Sequence, residues 1–465
     1  MKQKLLILWA VLLVGSMTLQ AQNGSEFAAG TGTANDPWQI TTAEELAALN
    51  NYLGENYYDK YFKLVKDIDL TTWLSKDRGN NENTQGWFPI GWVKNDQIWG
   101  FYGDFDGGHH TISGLWINRE EQSVVGFFGY TSLNTIKNLT VEIAAAGVKG
   151  DAFVGGLAGQ SSSELSNCHV RGEGMVSSKA EIAGGLVGMS LWNVSYCSSE
   201  VQVGSHGSRF GGLIGYQSTG TIFQSYCKGK VIALDDSSGE IGGLIGFVDE
   251  GTILQCYATG EVAGKYNAGG FVGAACGENI VIQECYASGK VTGEGRYIAQ
   301  LVASLYRDTK LTFTDCFYLK GIDAVTFNEG SIVGTPTPLS ESNLKKASAF
   351  TGWTFLSSNE QYSLDNPPST PWMIDEGQTT PRLWWQAMDL STNNTEIAEG
   401  KISLSTIKGQ LSIINSGSAV DVAVYSITGK NFARLRGLRG SKTITLPSGI
   451  YIVQAGTTTT KVIVN

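Results

Sequence analysis

The sequence predicts an all-β fold whose largest part is a right-handed parallel β-helix. A Gly-Gly-Leu element recurs along the chain, as in GGLIGYQ (211–217) and GGLIGFV (242–248). The segments between these elements are short, rich in β-branched residues and bounded by Gly, Ser, Asn and Thr, with no helical periodicity. A fixed period of about 30 residues is typical of a solenoid. Parallel strands joined by turns of one hand build a right-handed β-helix.

The repeat is anchored by one large apolar residue per coil, where a coil is one circuit of the chain. These residues are Phe127, Leu157, Leu186, Leu213, Leu244, Phe271 and Leu301. We expect each of them to point inward and to stack on its equivalents in the neighbouring coils. The glycines before them supply either a positive φ or close approach of backbones at a corner.

Six of the seven cysteines follow the same rhythm. They lie at 168, 197, 227, 256, 285 and 316, and the seventh is Cys276. Equivalent residues of stacked strands have parallel Cβ vectors, which is poor geometry for a disulfide. The spacing therefore predicts a ladder of small buried thiols even in an exported chain, with a single chance disulfide left open as the alternative.

The N-terminal residues predict export and a cap. Lys2 and Lys4 precede a short apolar run and a small-residue cleavage site, so residues 1–21 are predicted to be a signal peptide. The run is too short to span a bilayer. Residues 22–60 are predicted to form an N-terminal cap, because Thr42 and Glu45 make a capping box and the leucines that follow share one helical face.

The remaining boundaries follow from changes in pattern. We assign residues 61–320 to the β-helix and residues 321–390 to a C-terminal flank and cap, with Trp372, Trp384 and Trp385 as candidate plugs. The polar stretch 391–400 is predicted to be a linker. Residues 401–465 alternate apolar and polar positions between tight turns, which predicts a small β-sandwich.

Three stretches resemble a known family. FDGGHHTISGL, the serial GGLxG elements and CYATGEV resemble GLUG-repeat proteins, and the segments around 30–50 and 350–386 resemble the flanks of that family. The resemblance implies a β-helical, exported, often adhesin-like surface protein. GLUG repeats also accompany zinc proteases that cleave immunoglobulin A. This chain contains no H-E-x-x-H motif, so that protease activity is not expected.

The C-terminal stretch LPSGIYIVQAGTTTTKVIVN resembles the sorting domain of type IX secretion in Bacteroidota. The resemblance rests on Gly449, Tyr451, Val453, Lys461 and Val462. It implies passage through the outer membrane by the sorting machinery, followed by attachment at the bacterial surface.

The candidate binding residues form an aromatic series. Tyr196, Tyr226, Tyr257, Tyr286 and Phe317 occupy equivalent positions in the repeat. If the valines five residues after the tyrosines face inward, period-two alternation places the rings outward, as a stripe that could bind sugar faces. The alternative is that the rings cover one another or pack under a loop, since aromatic stripes usually serve packing.

Acidic residues give weaker candidates. Asp104 and Asp106 lie two apart before glycines, a hint of calcium, but the sequence lacks the further ligands of a calcium loop and favours a tight turn. Asp67 and Asp69 could form a carboxylate pair for glycoside hydrolysis. No catalytic constellation is convincing, and no cofactor is predicted.

Three functions remain open from the sequence. The first is a secreted, surface-attached adhesin that binds glycans or a host surface protein. The second is a polysaccharide lyase or glycoside hydrolase of the β-helix type, with its acidic site within residues 67–106. The third is a structural spacer without a ligand. The formal net charge of -10 argues against nucleic acid as a partner, and no membrane-spanning segment is predicted.

Overall fold

The protein divides into two units, Met1–Pro336 and Thr337–Asn465. Nearly all regular secondary structure in both units is β-strand. This description comes from a computed structural model. It covers residues 26–464 apart from 76–84, 95–96, 236–238, 357–361, 365, 387–394, 398–401, 408–409, 427–429, 448 and 456–457. The predicted signal peptide lies outside the described residues. The all-β prediction is confirmed.

The N-terminal region contains one α-helix, Ala43–Ala48, followed by 3-10 turns at Leu49–Asn51 and Glu55–Tyr57. The predicted capping box is present: the Glu45 N–H donates to Thr42 Oγ1 at 3.2 Å, and the Thr42 N–H donates to Glu45 Oε2 at 3.0 Å. The apolar face of this region is buried in the core. A short helix thus begins where the capping residues predict it.

The first unit is a parallel β-helix in which strands of successive coils stack into ladders. Seven strands form the first ladder, which we call the glycine ladder. Its strands are Val124–Val125, Phe153–Gly155, Ile182–Gly184, Arg209–Gly211, Glu240–Gly242, Asn267–Gly269 and Tyr297–Ala299. Every pairing is parallel, as expected for a solenoid.

Four further ladders complete each coil, in chain order after the glycine ladder. The second contains Val187–Ser190, Ile214–Gln217, Ile245–Val248, Val272–Ala275, Val302–Leu305 and Val325–Asn328. The third contains Val194–Ser195, Thr221–Phe223, Gly251–Leu254, Ile280–Gln283, Lys310–Thr314 and Ser331–Val333. The fourth contains Ser198–Ser199, Tyr226–Cys227, Tyr257–Ala258, Tyr286–Ala287 and Phe317–Leu319. The fifth contains Val176–Ser178, Val203–Ser205, Val231–Ala233, Val262–Ala263 and Val291–Thr292.

Longer strands form the earlier coils. Asp104–Arg119, Phe128–Gly150 and Ala158–Gly172 run through several corners and join more than one ladder. Before them come Trp38–Ile40, Tyr61–Leu64 and Ile68–Asp69. Trp38–Ile40 pairs in parallel with residues 62–64, and Ser331–Val333 pairs in parallel with residues 310–312.

The predicted limits of the β-helix, 61–320, are therefore too narrow. The strand at 38–40 lies within the predicted cap, and the strands at 325–328 and 331–333 lie within the predicted flank. None of these strands carries a Gly-Gly-Leu element, so the repeat could not mark them. Backbone pairing to the neighbouring coil recruits them instead.

The apolar residue of each Gly-Gly-Leu element is fully buried, as predicted, from Phe127 to Leu301. The second glycine of the element is required by close approach. A methyl group on Gly243 would lie 2.1 Å from the carbonyl oxygen of Gly270 in the next coil, and one on Gly212 would lie 2.3 Å from that of Gly243. These glycines do not have a positive φ. Stacking, not turn conformation, selects glycine here.

A buried ladder forms as predicted except at one position, where Ser225 replaces Cys227. Its members are Cys168, Cys197, Ser225, Cys256, Cys285 and Cys316. The Cys256 N–H donates to Cys285 Sγ at 3.3 Å, and the Cys197 N–H donates to Ser225 Oγ at 3.0 Å. Cys227 is not a member, because it pairs with Ser199 and Ala258 two positions further along. Its 30-residue spacing from Cys197 is a coincidence of unequal coil lengths.

All seven thiols are free, and all except Cys276 are buried. Burial raises the pKa of Cys227 and of Cys316 to about 12. Since the thiolate is the reactive form, we expect iodoacetamide at pH 8 to modify Cys276 alone in the folded protein and all seven cysteines in urea. Mass spectrometry of proteolytic peptides identifies which cysteines have been alkylated. Rapid modification of Cys256 in the folded protein would contradict the buried ladder.

The second unit begins with the strand Thr337–Leu339 and the 3-10 turns Asn343–Lys345 and Ala347–Ala349. Trp372–Met373 then pairs antiparallel with Arg382–Leu383. Trp372, Trp384 and Trp385 are buried. Their role as a plug of the β-helix stays a prediction.

The last six strands form an antiparallel sheet around their own apolar core: Thr395–Ile397, Ile402–Ile407, Gln410–Ser426, Asn431–Thr445, Gly449–Ala455 and Thr458–Val464. The central strand, 410–426, pairs with 402–407 along its first part and with 449–455 along its last part. All six strands belong to one sheet, and the two-layer sandwich stays a prediction.

The predicted linker, 391–400, contains a strand. Residues 395–397 pair antiparallel with Ile402–Leu404. The sequence Thr-Glu-Ile shows too little alternation to be recognised, because an edge strand is held by backbone hydrogen bonds to a single neighbour.

Candidate functional site

The predicted aromatic stripe is buried, so the expectation that its rings face outward is wrong. Tyr257 is 2% exposed and Tyr286 is 0% exposed, and Tyr226 and Phe317 are also buried. The rings stack face to face: centroids lie 4.9 Å apart between Tyr226 and Tyr257, and 5.2 Å apart between Tyr257 and Tyr286. This is the packing alternative that the sequence left open.

The error has a local cause. Each strand of the fourth ladder is only two or three residues long, and a corner precedes it. In Tyr226–Cys227 and Tyr257–Ala258 both residues are buried. Period-two alternation assumes a continuous extended strand, and it fails across a corner.

Tyr196 does not belong to the stripe. Ser198 pairs with His169 in the preceding coil and with Tyr226 in the next coil. Ser198, and not Tyr196, therefore occupies the position of the stripe in this coil. Tyr196 lies at the corner before the ladder, where its φ is 55°. The same corner has a positive φ in eight successive coils, at His109, Asn138, Asn167, Tyr196, Gln224, Gln255, Glu284 and Asp315. Matching SYC at 195–197 to SYC at 225–227 therefore shifted this coil by two residues.

Polar residues fix one end of the stripe. The Tyr226 hydroxyl donates to Glu200 Oε1 at 2.9 Å, and Lys228 Nζ lies 3.0 Å from the same oxygen. Burial alone would raise the pKa of Glu200, but Lys228 and the Tyr226 hydroxyl hold that pKa below its usual value. The ammonium also lies 4.6 Å from the centroid of the Tyr226 ring. These contacts give the first tyrosine of the stripe a packing role.

The acidic candidates Asp104 and Asp106 accept structural hydrogen bonds. Asp104 Oδ1 accepts from the Thr135 N–H at 2.8 Å. Asp106 Oδ1 accepts from the Gly108 N–H at 2.9 Å and from Asn138 Nδ2 at 3.0 Å. Each carboxylate thus ties its strand to its own turn or to the next coil.

Asp67 and Asp69 line a shallow depression of about 300 Å³, together with Glu44, Lys66 and Trp73. Asp67 is held by the Thr111 N–H at 2.9 Å and lies 3.1 Å from His110 Nδ1. Hydrogen bonds from the hydroxyl and backbone N–H of Thr71 lower the pKa of Asp69. The structure therefore brings the predicted carboxylate pair to one surface, with both members already engaged by backbone.

An exposed aromatic group lies elsewhere, on a hairpin that leaves the β-helix after residue 91. Its strands are Trp92–Lys94 and Gln97–Trp99, and they pair antiparallel with Trp92 opposite Trp99. The two indoles stack with centroids 5.5 Å apart and planes 26° apart. Trp99 is 45% exposed, and the neighbouring Ile98 is exposed too. Large exposed apolar side chains in a cluster mark an interaction surface more often than isolated ones do.

Two half-buried tyrosines, Tyr102 and Tyr130, lie close to Gly100, the residue that follows Trp99. A methyl group added at Gly100 would be 2.9 Å from Tyr102 Cε2 and 2.8 Å from Tyr130 Cδ1. Burial, and then Tyr130 and Glu55, raise the pKa of Tyr102. We call Trp92, Trp99, Tyr102 and Tyr130 the hairpin site.

The base of the hairpin is fixed on both sides. The Gly54 N–H donates to the Gly100 oxygen at 2.9 Å, and the Gly91 N–H donates to Asn50 Oδ1 at 3.1 Å. On the β-helix side, the Phe101 N–H donates to the Tyr130 oxygen at 2.9 Å, and the Phe101 side chain is fully buried. The aromatic rings are therefore presented from a rigid support, which lowers the entropic cost of binding.

The Gly-Gly-Leu repeat does not mark this hairpin. A signal was present: WVK and QIW are separated by exactly two residues, Asn95 and Asp96, which is the spacing of a tight hairpin. The tryptophan pair lies on an insertion between coils, and the period of the repeat does not describe insertions.

The residues of the sorting motif lie on two paired strands of the second unit. Tyr451 lies opposite Val462, and Ile452 lies opposite Lys461. Tyr451 and Val453 are buried, and the Tyr451 hydroxyl donates to the Pro447 oxygen at 2.8 Å. Gly449 begins the first of these strands. The motif thus includes core residues of the terminal sheet.

No family model matches the chain. Over 150 residues, 32% of the chain, it is 38% identical to a protein of Evansella cellulosilytica provisionally named a Gly-rich membrane protein. Over 175 residues, 37% of the chain, it is 31% identical to halomucin of Haloquadratum walsbyi. These matches span only 16% and 2% of the two relatives' own lengths. In the described part of this chain, no helix has the length and apolar character to cross a membrane.

Among solved structures, the protein is similar to one from Bacteroides ovatus provisionally described as an immunoglobulin A1 protease. The TM-score is 0.50, the sequence identity is 17%, and the match covers 77% of this chain and 95% of that one. At this level of identity, the likeness shows that the two proteins share a fold.

Proposed function

We propose that this protein is a secreted, surface-attached, adhesin-like protein that binds an extracellular glycan through the hairpin site on the flank of its β-helix. The observation that carries the proposal is the stacked Trp92–Trp99 pair on a rigid support, in which Trp99 is exposed and Trp92 is half-buried. Aromatic faces pack well against the C–H faces of sugar rings, and a polar rim then fixes orientation. The membrane-protein name of the Evansella relative supports a location at the cell surface.

Trp99→Ala is expected to weaken glycan binding by about 30-fold or more, the usual effect of removing an aromatic anchor. Trp192→Ala is the matched control, since Trp192 is also exposed, at 53%, and lies in another part of the β-helix. Binding is measured on a glycan array and then by calorimetry with the best ligand. Equal affinities of the two variants would contradict a role for the hairpin site.

The second candidate function is that of a polysaccharide-degrading enzyme. Its candidate site is the acidic depression, which brings Asp67, Asp69 and Trp73 to one surface. Release of reducing ends or of 4,5-unsaturated products from plant or host polysaccharides would support a hydrolase or lyase. The hydrogen bonds from backbone N–H groups to both carboxylates favour a structural role over catalysis. If neither glycan binding nor product release is detected, the remaining function is that of a structural spacer without a ligand.

We further propose that residues 401–465 direct the protein to the bacterial surface as a type IX sorting domain of a GLUG-repeat protein. The resemblance around Tyr451 and Val453 supports this, and both residues belong to the core of the terminal sheet. In the native host, a chain ending at residue 390 is expected to remain in the periplasm, whereas the full chain is cut by protease added to intact cells. Surface cleavage of the shortened chain would contradict the proposal.

A further inference from the structure

We infer that the hairpin site selects neutral glycans, and that Glu55 beside it disfavours anionic ones. This inference rests on the proposed function and names the ligand class of the same site. It follows from the chemistry of the side chains that the structure places at the hairpin.

The site offers apolar faces and hydroxyl groups. Its four members are two tryptophans and two tyrosines, and the exposed neighbours Gln97 and Ile98 are uncharged. Such a surface gains free energy by covering ring faces that carry C–H groups. The Tyr102 and Tyr130 hydroxyls add donors and acceptors for the hydroxyl groups of a sugar. A hexose polymer without charged groups satisfies both features.

Two charged residues belong to the chain segments beside these rings, Lys94 at the end of the strand that carries Trp92 and the acidic residue Glu55. The Gly54 N–H donates to the Gly100 oxygen at 2.9 Å, which sets Glu55 next to the segment that carries Trp99 and Tyr102. Glu55 is exposed, and its charge acts on the Tyr102 hydroxyl. A uronic acid on these rings would lose part of its hydration close to a like charge, which opposes binding.

The net charge of the whole chain acts in the same direction. A formal charge of -10 slows the approach of a polyanion at low salt, whereas it leaves a neutral polymer unaffected. Binding of a neutral ligand should therefore be insensitive to ionic strength, since such a ligand forms no ion pair with the protein.

The experiment is affinity electrophoresis of the full-length protein in gels that contain one polymer each. The neutral probes are a mixed-linkage β-glucan, a xyloglucan and a galactomannan, and the anionic probes are polygalacturonate and hyaluronan. The variants are Trp99→Ala, Glu55→Gln and the control Trp192→Ala, each run at low salt and in 0.5 M NaCl. Circular dichroism confirms that each variant is folded.

We expect at least one neutral polymer to retard the protein equally at both salt concentrations, and Trp99→Ala to abolish that retardation. Glu55→Gln is expected to raise the ratio of anionic to neutral affinity about threefold at low salt, the scale of one exposed charge interaction. Trp192→Ala should behave as the unmodified protein does.

The failures can be told apart. Anionic polymers that bind best and depend on Trp99 would overturn the ligand class while leaving the proposed function in place. A loss of neutral binding in Glu55→Gln would overturn its role against anions, because the carboxylate would then be a ligand contact. Absence of any Trp99-dependent retardation would overturn the proposed function itself.

Discussion

Gly243→Ala is expected to destabilise the β-helix by about 3 kcal/mol or more, at the upper end of the range for overpacked interiors. The added methyl group would lie 2.1 Å from the Gly270 oxygen and 2.9 Å from the Gly270 carbonyl carbon, both backbone atoms of the next coil. Backbone atoms cannot rotate away as a flexible side chain can, so the two coils must separate. Urea unfolding followed by far-UV circular dichroism measures the loss.

The matched control is Gly321→Ala. No heavy atom lies within 4 Å of a methyl group added at Gly321, and its φ is not positive. We expect its unfolding free energy to stay within about 0.5 kcal/mol of the unmodified protein. The coil that carries the last of these elements has a different residue at the same position, since Gln300 replaces the second glycine there. A Gly243→Ala protein as stable as Gly321→Ala would show that close stacking does not select glycine.

Tyr257→Ala is expected to lower the free energy of unfolding by about 3–5 kcal/mol, as for other large aromatic residues removed from a core. Tyr257 is 2% exposed and stacks on Tyr226 at 4.9 Å and on Tyr286 at 5.2 Å, so its removal leaves a cavity and two ring faces without their partner. Tyr58→Ala, at a residue 67% exposed, should change stability by less than about 0.5 kcal/mol. Thermal and urea unfolding provide the measurement.

The same variant separates packing from binding. If it folds at low temperature, Tyr257→Ala should bind glycans as the unmodified protein does, because the hairpin site lies on a different part of the chain. Specific loss of binding with unchanged stability would instead restore the stripe as a ligand surface.

The period of the repeat was enough to predict the parallel β-helix, because one apolar residue and one glycine per coil must meet the same environment each time. Residues such as Leu213 and Leu244 could be placed inside from sequence for that reason. The capping box at Thr42 and Glu45 was equally readable, since it depends on atoms within one helical turn. The terminal sheet followed from local alternation of apolar residues.

Which aromatic rings face solvent was decided only by the tertiary structure. Tyr226 and Tyr257 were placed on the wrong face because a corner precedes each two-residue strand, and the direction of a side chain after a corner depends on the coil stacked against it. Tyr196 and Cys227 were placed in the wrong register because coils differ in length, and pairing between coils sets the register. Trp99 is exposed and stacks on the half-buried Trp92 only because their hairpin is held away from the core at its base. The sequence determined the coil and its interior, since these repeat, whereas the exposed surface arises from insertions and corners that do not.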